Sequence, residues 1–485
     1  MDPFMKVENL RLKFPKEKDL LFKDLNVSIN KGEKVLLLGP SGCGKSTLLQ
    51  VLAGIIPRSI EVPMKADQLV LPDSSGYVFQ DPDSQFCMPY VDEEIAFVLE
   101  NLQTPRDQMK QKISHYLGKV GLQLSDLHTN IQTLSGGQKQ RLAIASILAL
   151  EPEVLFLDEP TAMLDPEGTI EVWNTIEGLM DQQTLVIVEH KIEHVMRLVD
   201  RVIVFNQSGE IIADGDKDEI IKSYLPILRM NGIWYPGVWD EYMSEHPRVT
   251  LEEKISDQPL MSLRDFEVVR KKESVVKVPV VDVYSHEWIA IVGENGAGKS
   301  TLLQGIMQLL ETKGEYHLSG KKVTKKRELF HELAYVFQNP EFQFVTNSVE
   351  DELAHSLKVF HTEEHLIAEK VEEMLTRFSL EDHREKHPYQ LSMGQKRRLS
   401  VASSIMQNQR ILLLDEPTFG QDSKNTFALL EFLEQERQIG TTILMITHDE
   451  QIVEQFATRR WIISKGELSR DETVGKMNQF GLLHV

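Results

Sequence analysis

The chain repeats itself once, so any fold assigned to it has to be built twice. Gly39-Pro40-Ser41-Gly42-Cys43-Gly44-Lys45-Ser46-Thr47 recurs as Gly293-Glu294-Asn295-Gly296-Ala297-Gly298-Lys299-Ser300-Thr301. Tyr77-Val78-Phe79-Gln80-Asp81-Pro82 recurs as Tyr335-Val336-Phe337-Gln338-Asn339-Pro340. Leu134-Ser135-Gly136-Gly137-Gln138 recurs as Leu391-Ser392-Met393-Gly394-Gln395, and Leu155-Phe156-Leu157-Asp158-Glu159-Pro160 as Leu412-Leu413-Leu414-Asp415-Glu416-Pro417. Glu189-His190 returns as Thr447-His448. The matches keep one order and lie 254–258 residues apart. A duplicated domain of roughly 220–240 residues is the economical reading. The expected division is 5–223 for the first domain, 224–259 for a connecting segment and 260–485 for the second.

The connecting segment carries Trp234, Tyr235, Trp239 and Tyr242. A free linker would be rich in Gly and Ser, or charged. Packing on a domain surface is the expected role of these aromatics, with a ligand site built on them as the alternative.

Composition excludes several classes. The net charge is −21, so generic nucleic-acid binding, which rests on neutralising Lys and Arg, is not expected. Two cysteines, Cys43 and Cys87, cannot make a disulfide framework and fit a reducing compartment. No stretch approaches the ~18–20 consecutive apolar residues of a membrane span. The N-terminus lacks the apolar region of a signal peptide, and Met1 and Met5 both stand open as the natural start.

Each copy opens with a short apolar run, Val35-Leu36-Leu37-Leu38 or Trp288-Ile289-Ala290-Ile291-Val292, followed by G-x-x-x-x-G-K-[ST] and a helical pattern. Strand, glycine loop and helix form the context a P-loop requires. Glycines let backbone N–H groups curl around phosphate oxygens, and the helix N-terminus adds partial positive charge. Lys45 and Lys299 are expected to reach the β- and γ-phosphates of ATP, and Ser46 and Ser300 to ligate Mg²⁺. Cys43 sits at a variable loop position as a small filler. Asp158 and Asp415 end strand-type runs, where ligands collect on a parallel sheet, and are expected to hold the Mg²⁺ shell. Glu159 and Glu416 are expected to polarise the attacking water. Gln80 and Gln338 can reach Mg²⁺ or that water. A lone strand-end histidine is usually structural, but His190 and His448 repeat, which favours contact with the γ-phosphate.

Leu134-Ser135-Gly136-Gly137-Gln138 between a P-loop and an Asp-Glu pair resembles the signature motif of ABC ATPases. The resemblance extends in order through P-loop, glutamine loop, signature, Walker B strand, D-loop (Ala162-Met163-Leu164-Asp165 and Phe419-Gly420-Gln421-Asp422) and switch histidine, and covers nearly all of both halves. It implies an α/β fold: two P-loop NTPase domains in tandem. Each would have a mainly parallel sheet core, an antiparallel β subdomain and a helical signature subdomain. It also implies that Ser135, Gly136, Gly137 and Gln138 of one half, and Ser392, Gly394 and Gln395 of the other, cap ATP held by the opposite half. Met393 departs from the signature glycine, and both sites are expected to hydrolyse ATP at unequal rates. Phe14 matches the adenine-stacking aromatic. In the second half that position falls on Val268 or Arg270, so weaker base contact is expected there, Arg270 offering only a cation–π contact.

Asp81-Pro82-Asp83-Ser84-Gln85-Phe86 and Asn339-Pro340-Glu341-Phe342-Gln343-Phe344, continued by Val91–Phe97 and Val349–Ala354, look like the segments of ATPases from energy-coupling-factor importers of vitamins and metals. Membrane-embedded energy-coupling and substrate-capture subunits are the partners this implies, with no nucleic acid and no metal cluster. One chain would supply both ATPase halves on the cytoplasmic face of the membrane, as a peripheral protein. Tandem fusions of this type also resemble hydroxymethylpyrimidine/thiamine importers. The alternatives are a tandem sugar-importer ATPase and a tandem ABC translation factor. The latter would carry a long charged linker, and the one basic run here, Lys321–Arg327, reads as a solvated loop. Charge reversal at Asp83 or Glu341 is expected to weaken partner binding unless both carboxylates are merely solvated.

Overall fold

A computed structural model describes residues 3–15, 19–162, 164–179, 183–247, 258–324, 326, 329–407 and 409–474. Two compact units emerge: residues 1–238 with 420–424, and residues 239–419 with 425–485.

In the first unit, β-branched and leucine-rich runs form the core sheet, and its central strands Val154–Asp158 and Thr184–Val188 are buried along their whole length, as strands covered on both faces must be. Its order is Ile211–Asp216, Arg201–Phe205, Lys34–Leu38, Thr184–Val188, Val154–Asp158 and Ser75–Val78. All neighbours are parallel except the first pair. A separate antiparallel sheet pairs Met5–Leu12 with Phe22–Ile29, Met64–Lys65 and Gln68–Val70. Its strands alternate: Phe22, Leu25, Val27 and Ile29 point inward while their neighbours are exposed. Helices Val91–Asn101, Arg106–Lys119 and Gly136–Leu148 make the helical part. The last of these lies so close to the edge strand that a Cβ on Gly76 would sit 2.2 Å from Ile147 Cγ2. Glycine is therefore required there.

The second unit repeats this plan. Its parallel strands are Arg459–Ser464, Trp288–Val292, Thr442–Ile446, Ile411–Asp415 and Leu333–Val336. The antiparallel strands Lys321–Lys322, Glu311–Leu318, Met261–Arg270 and Glu273–Val283 join them through Glu467–Thr473, by the single pair Lys277–Glu467, so one continuous sheet results. The fold class implied by the sequence is the one observed in both units. The exposed Lys321 and Lys322 form a short strand, while Lys325 and Arg327 of the basic run lie outside the described residues. Among the described residues no helix is long and apolar enough to cross a membrane.

The aromatics of the connecting segment are engaged in packing. In the first unit Ile233 and Tyr235 are buried, and Trp234 Nε1 donates to the Gln421 carbonyl at 2.9 Å. In the second unit Trp239 meets Phe427 edge-on at 4.9 Å, and Tyr242 stacks on Phe427 at 4.0 Å. Residues 248–257 of this segment lie outside the described residues.

Candidate nucleotide site

The fold brings four parts of each repeat together at the C-terminal ends of the parallel strands. In the first unit the loop from Gly39 to Gly44 joins strand Lys34–Leu38 to helix Lys45–Leu52. Gly44, at φ +101°, turns the chain into the helix, and a Cβ there would meet the Phe22 ring at 2.9 Å. Lys45 is buried, and its Nζ donates back to the carbonyls of Gly39 (2.7 Å) and Pro40 (2.9 Å). The second unit is built alike: Gly298 is at φ +103°, and Lys299 Nζ donates to Gly293 O (2.6 Å) and Glu294 O (2.9 Å).

Behind each loop stands the Walker B carboxylate. Ser46 Oγ donates to Asp158 Oδ1 at 2.7 Å, and Tyr77 OH donates to Oδ2 at 2.7 Å. Ser300 and Tyr335 make the corresponding bonds to Asp415, each at 3.1 Å. Burial pushes Asp158 and Asp415 above the usual carboxylate range, against the hydrogen bonds they accept. The buried Asp158 and Asp415, each with a partly buried glutamate next in sequence and a serine hydroxyl in hydrogen-bond contact, supply hard oxygen donors of the kind Mg²⁺ takes. Ser46 with Asp158, and Ser300 with Asp415, fit that ion, while Gln80 turns its amide N–H toward Glu159.

Glu159 and Glu416 follow at φ +47° and +48°, left-handed values that are costly for a residue with a side chain. Each is pinned by its N–H, to Val188 O (2.9 Å) and Ile446 O (3.2 Å). Gln80 Nε2 donates to Glu159 Oε2 at 2.9 Å, and His190 Nε2 lies 3.1 Å from Oε1. His448 Nε2 lies 3.4 Å from Glu416 Oε1. Burial pushes both glutamates up. The charge and hydrogen bond of the facing histidine, with the P-loop lysine, outweigh it and leave both below their ordinary value. That direction favours the carboxylate form of each, with Lys45 or Lys299 nearby.

The signature serines open helices. Ser135 Oγ accepts from Gln138 N and the Gln138 side chain accepts from Ser135 N, a reciprocal cap repeated by Ser392 and Gln395. The motif's glutamine thus shapes the helix start and leaves other first-turn N–H groups for an anion. Met393 occupies the first turn of its helix and is 53% exposed. Asp165 caps the next helix of the first unit; Met163 of that D-loop lies outside the described residues. Within the first unit Asp422 Oδ2 accepts from the Ser41 N–H at 3.1 Å.

Phe14 lies just past strand Met5–Leu12 and is 38% exposed. Of its two counterparts, Val268 is fully buried, which leaves the exposed Arg270 at the strand end. Base–aromatic stacking is worth ~1–3 kcal/mol, so Phe14→Ala is expected to weaken ATP binding about 10-fold. Arg270→Ala should cost less, since an exposed cation–π contact is worth ~0.5–1 kcal/mol. Titration with a fluorescent ATP analogue checks both.

Tyr77 and Tyr335 recur as regularly as the glutamines, which was the sequence signal for their shared contact with the strand-end aspartate. Glu94 and Glu352, inside the segments Val91–Phe97 and Val349–Ala354 that resemble a partner groove, turn inward instead. Each is buried, and each accepts two backbone N–H bonds, from Cys87 and Met88 or from Val345 and Thr346, bracing the segment after the glutamine.

The ABC transporter family model matches residues 22–162 and 277–419. The chain is 36% identical to "Putative HMP/thiamine import ATP-binding protein YkoD" of Bacillus subtilis, over 94% of this chain and 89% of that one. It is 32% identical to a "Putative ABC transporter ATP-binding protein" of Methanosarcina mazei, over 97% of this chain and 89% of the relative. A Streptococcus pneumoniae protein of the same description is 34% identical, over 96% of this chain and 90% of its own length. With two matched regions and full-length relatives, the chain belongs to the ABC transporter family, as one of its ATP-binding, ATP-hydrolysing subunits.

Proposed function

We propose that this subunit powers import of a vitamin, vitamin precursor or metal through a membrane assembly of the energy-coupling type, with the hydroxymethylpyrimidine/thiamine class as the favoured cargo. One chain supplies both ATPase halves, docked on the cytoplasmic face of the membrane. In this reading Lys45 and Lys299 hold the β- and γ-phosphates. Ser46, Asp158 and Gln80, with Ser300, Asp415 and Gln338, hold Mg²⁺, which supplies charge neutralisation on the phosphates. Glu159 and Glu416 take the proton of the attacking water. His190 and His448 orient the γ-phosphate, and the helix starts at Ser135–Gln138 and Ser392–Gln395 offer it N–H groups.

The observation that carries the importer reading is a link present in both units. Lys139, on the helix that Ser135 caps, donates to both oxygens of Asp83 (2.8 and 2.7 Å). Lys396, on the Ser392-capped helix, pairs with Glu341 at 2.5 Å. The segment after each glutamine is thus tied to its signature helix while Asp83 and Glu341 stay partly exposed, at 44% and 37% of the side chain. Phe342 and Val345, which follow Glu341 in the chain, are 76% and 66% exposed, apolar side chains suited to meeting an apolar helix of a membrane partner. The name printed for the B. subtilis relative supports the cargo class.

Exposed ion pairs are worth only ~0.2–1 kcal/mol. A swap, Asp83→Lys with Lys139→Asp and Glu341→Lys with Lys396→Asp, restores the internal pairs and should hold soluble ATPase activity within about 2-fold. It places lysines on the docking face, and co-purification with the membrane subunits and vitamin-precursor uptake are expected to fall about 10-fold. Unchanged capture and uptake would mean that these carboxylates serve only the internal link and would remove the docking assignment.

A further inference from the structure

The two halves differ at the residue before the switch histidine, and the first half carries there a buried acid that the reaction as described does not use. Glu189 follows strand Thr184–Val188 and is 3% exposed. Its Oε2 accepts from Thr161 Oγ1 at 2.7 Å. Its Oε1 accepts from the His190 N–H at 2.8 Å and the Lys191 N–H at 3.3 Å. Thr161 lies on the turn that returns to Glu159, where the Ala162 N–H donates to the Glu159 carbonyl at 3.1 Å. One carboxylate therefore joins the loop behind the water-activating glutamate to the backbone of the histidine facing it.

Nothing about the fold asks for an acid here. The second half has Thr447, whose hydroxyl accepts only from the Asp449 N–H at 3.1 Å, and among the described residues it makes no side-chain bond to Thr418. The acid stands before the histidine in Glu189-His190-Lys191 and after it in Thr447-His448-Asp449. A buried carboxylate is costly unless hydrogen-bonded. Burial and the nearby Glu159 charge both act to raise its pKa, against the bonds it accepts. Three converging donors offset that cost and fix the group in one place. The histidine–glutamate distance differs in the same sense: 3.1 Å where the clamp exists and 3.4 Å where it does not.

We propose that Glu189 is a positioning residue for hydrolysis in the first half, holding His190 in register with Glu159 through Thr161 and the His190 and Lys191 backbone, and that its replacement by Thr447 leaves the second half without this device. The inference rests on reading Glu159 and His190 as the hydrolytic pair. Its consequence is that the half with the buried acid hydrolyses bound ATP faster, with affinity for ATP little affected, since Glu189 reaches neither the P-loop nor Phe14.

Single-turnover hydrolysis in the full-length Glu416→Gln chain reads the first site even where steady-state cycling has stopped. In that background Glu189→Thr is expected to lower the hydrolysis rate at saturating ATP about 10-fold or more, because small misplacements of reacting groups cost up to ~10²-fold. The half-saturating ATP concentration should change less than about 3-fold. Glu189→Gln retains an acceptor oxygen of the same shape and should recover most of the rate. In the mirror background, Glu159→Gln, the Glu189→Thr exchange should leave second-site turnover unchanged. Parent-like rates for Glu189→Thr in the first background would overturn the proposal. So would equal losses in both backgrounds, which would make Glu189 a structural residue. Full turnover in Glu159→Gln with Glu416→Gln would instead overturn the underlying assignment of the glutamates.

Discussion

Replacing Glu159 and Glu416 together by glutamine is expected to slow ATP hydrolysis by ~10²–10⁴-fold, the usual contribution of a general base, while ATP still binds. The amide keeps the shape of the side chain and can still meet Gln80, which donates to Glu159 at 2.9 Å. It cannot carry the negative charge that His190 and Lys45 hold in place in the buried site, and so cannot draw a proton from water. The bonds from Lys45 and Lys299 to their own loop carbonyls do not run through either glutamate, so affinity should survive. Equilibrium binding of ATP together with single-turnover hydrolysis separates the two effects. A double variant hydrolysing at the parent rate would place the base elsewhere.

Lys45→Ala and Lys299→Ala are expected to act on binding instead. Each ammonium sits buried against two carbonyls of its own loop, at the start of the helix that follows the loop. A charge-assisted hydrogen bond contributes ~1.5–3 kcal/mol. Losing the bonds to two phosphates, and leaving two loop carbonyls unmet, should weaken ATP binding by about 10²-fold or more per site. Isothermal titration of the single variants should show one weakened site in each. Two unaltered sites in either variant would contradict the assignment.

What could be read in the sequence is what the backbone does locally. The P-loop, the signature and the strand-end acids are contiguous, because a glycine turn, a helix cap and a strand terminus are each made by neighbours in the chain. Contacts that depend on strand order were not legible. Tyr77 reaches Asp158 across 81 residues, only because Ser75–Val78 lies beside Val154–Asp158 in the sheet. The lysines opposite Asp83 and Glu341 were hidden for the same reason, so acids that looked available to a partner turn out to be shared with Lys139 and Lys396. The mismatch of Glu189 with Thr447 was visible. What it meant was not, since Thr161 lies 28 residues away in the chain. The choice between Val268 and Arg270 likewise needed the strand, which buries one and exposes the other.

The left-handed backbone at Glu159 and Glu416 sets the chain against itself. A side chain in that region costs ~1–3 kcal/mol, and the cost is met twice, at the two residues proposed to activate water. Glycine at either position would relax the backbone while removing the carboxylate proposed as the base. Selection of random variants for heat resistance alone would therefore tend to enrich glycine at 159 and 416. The hardiest chains from such a screen would bind nucleotide and do no work with it, and thermal endurance would be a misleading proxy for a functional pump motor.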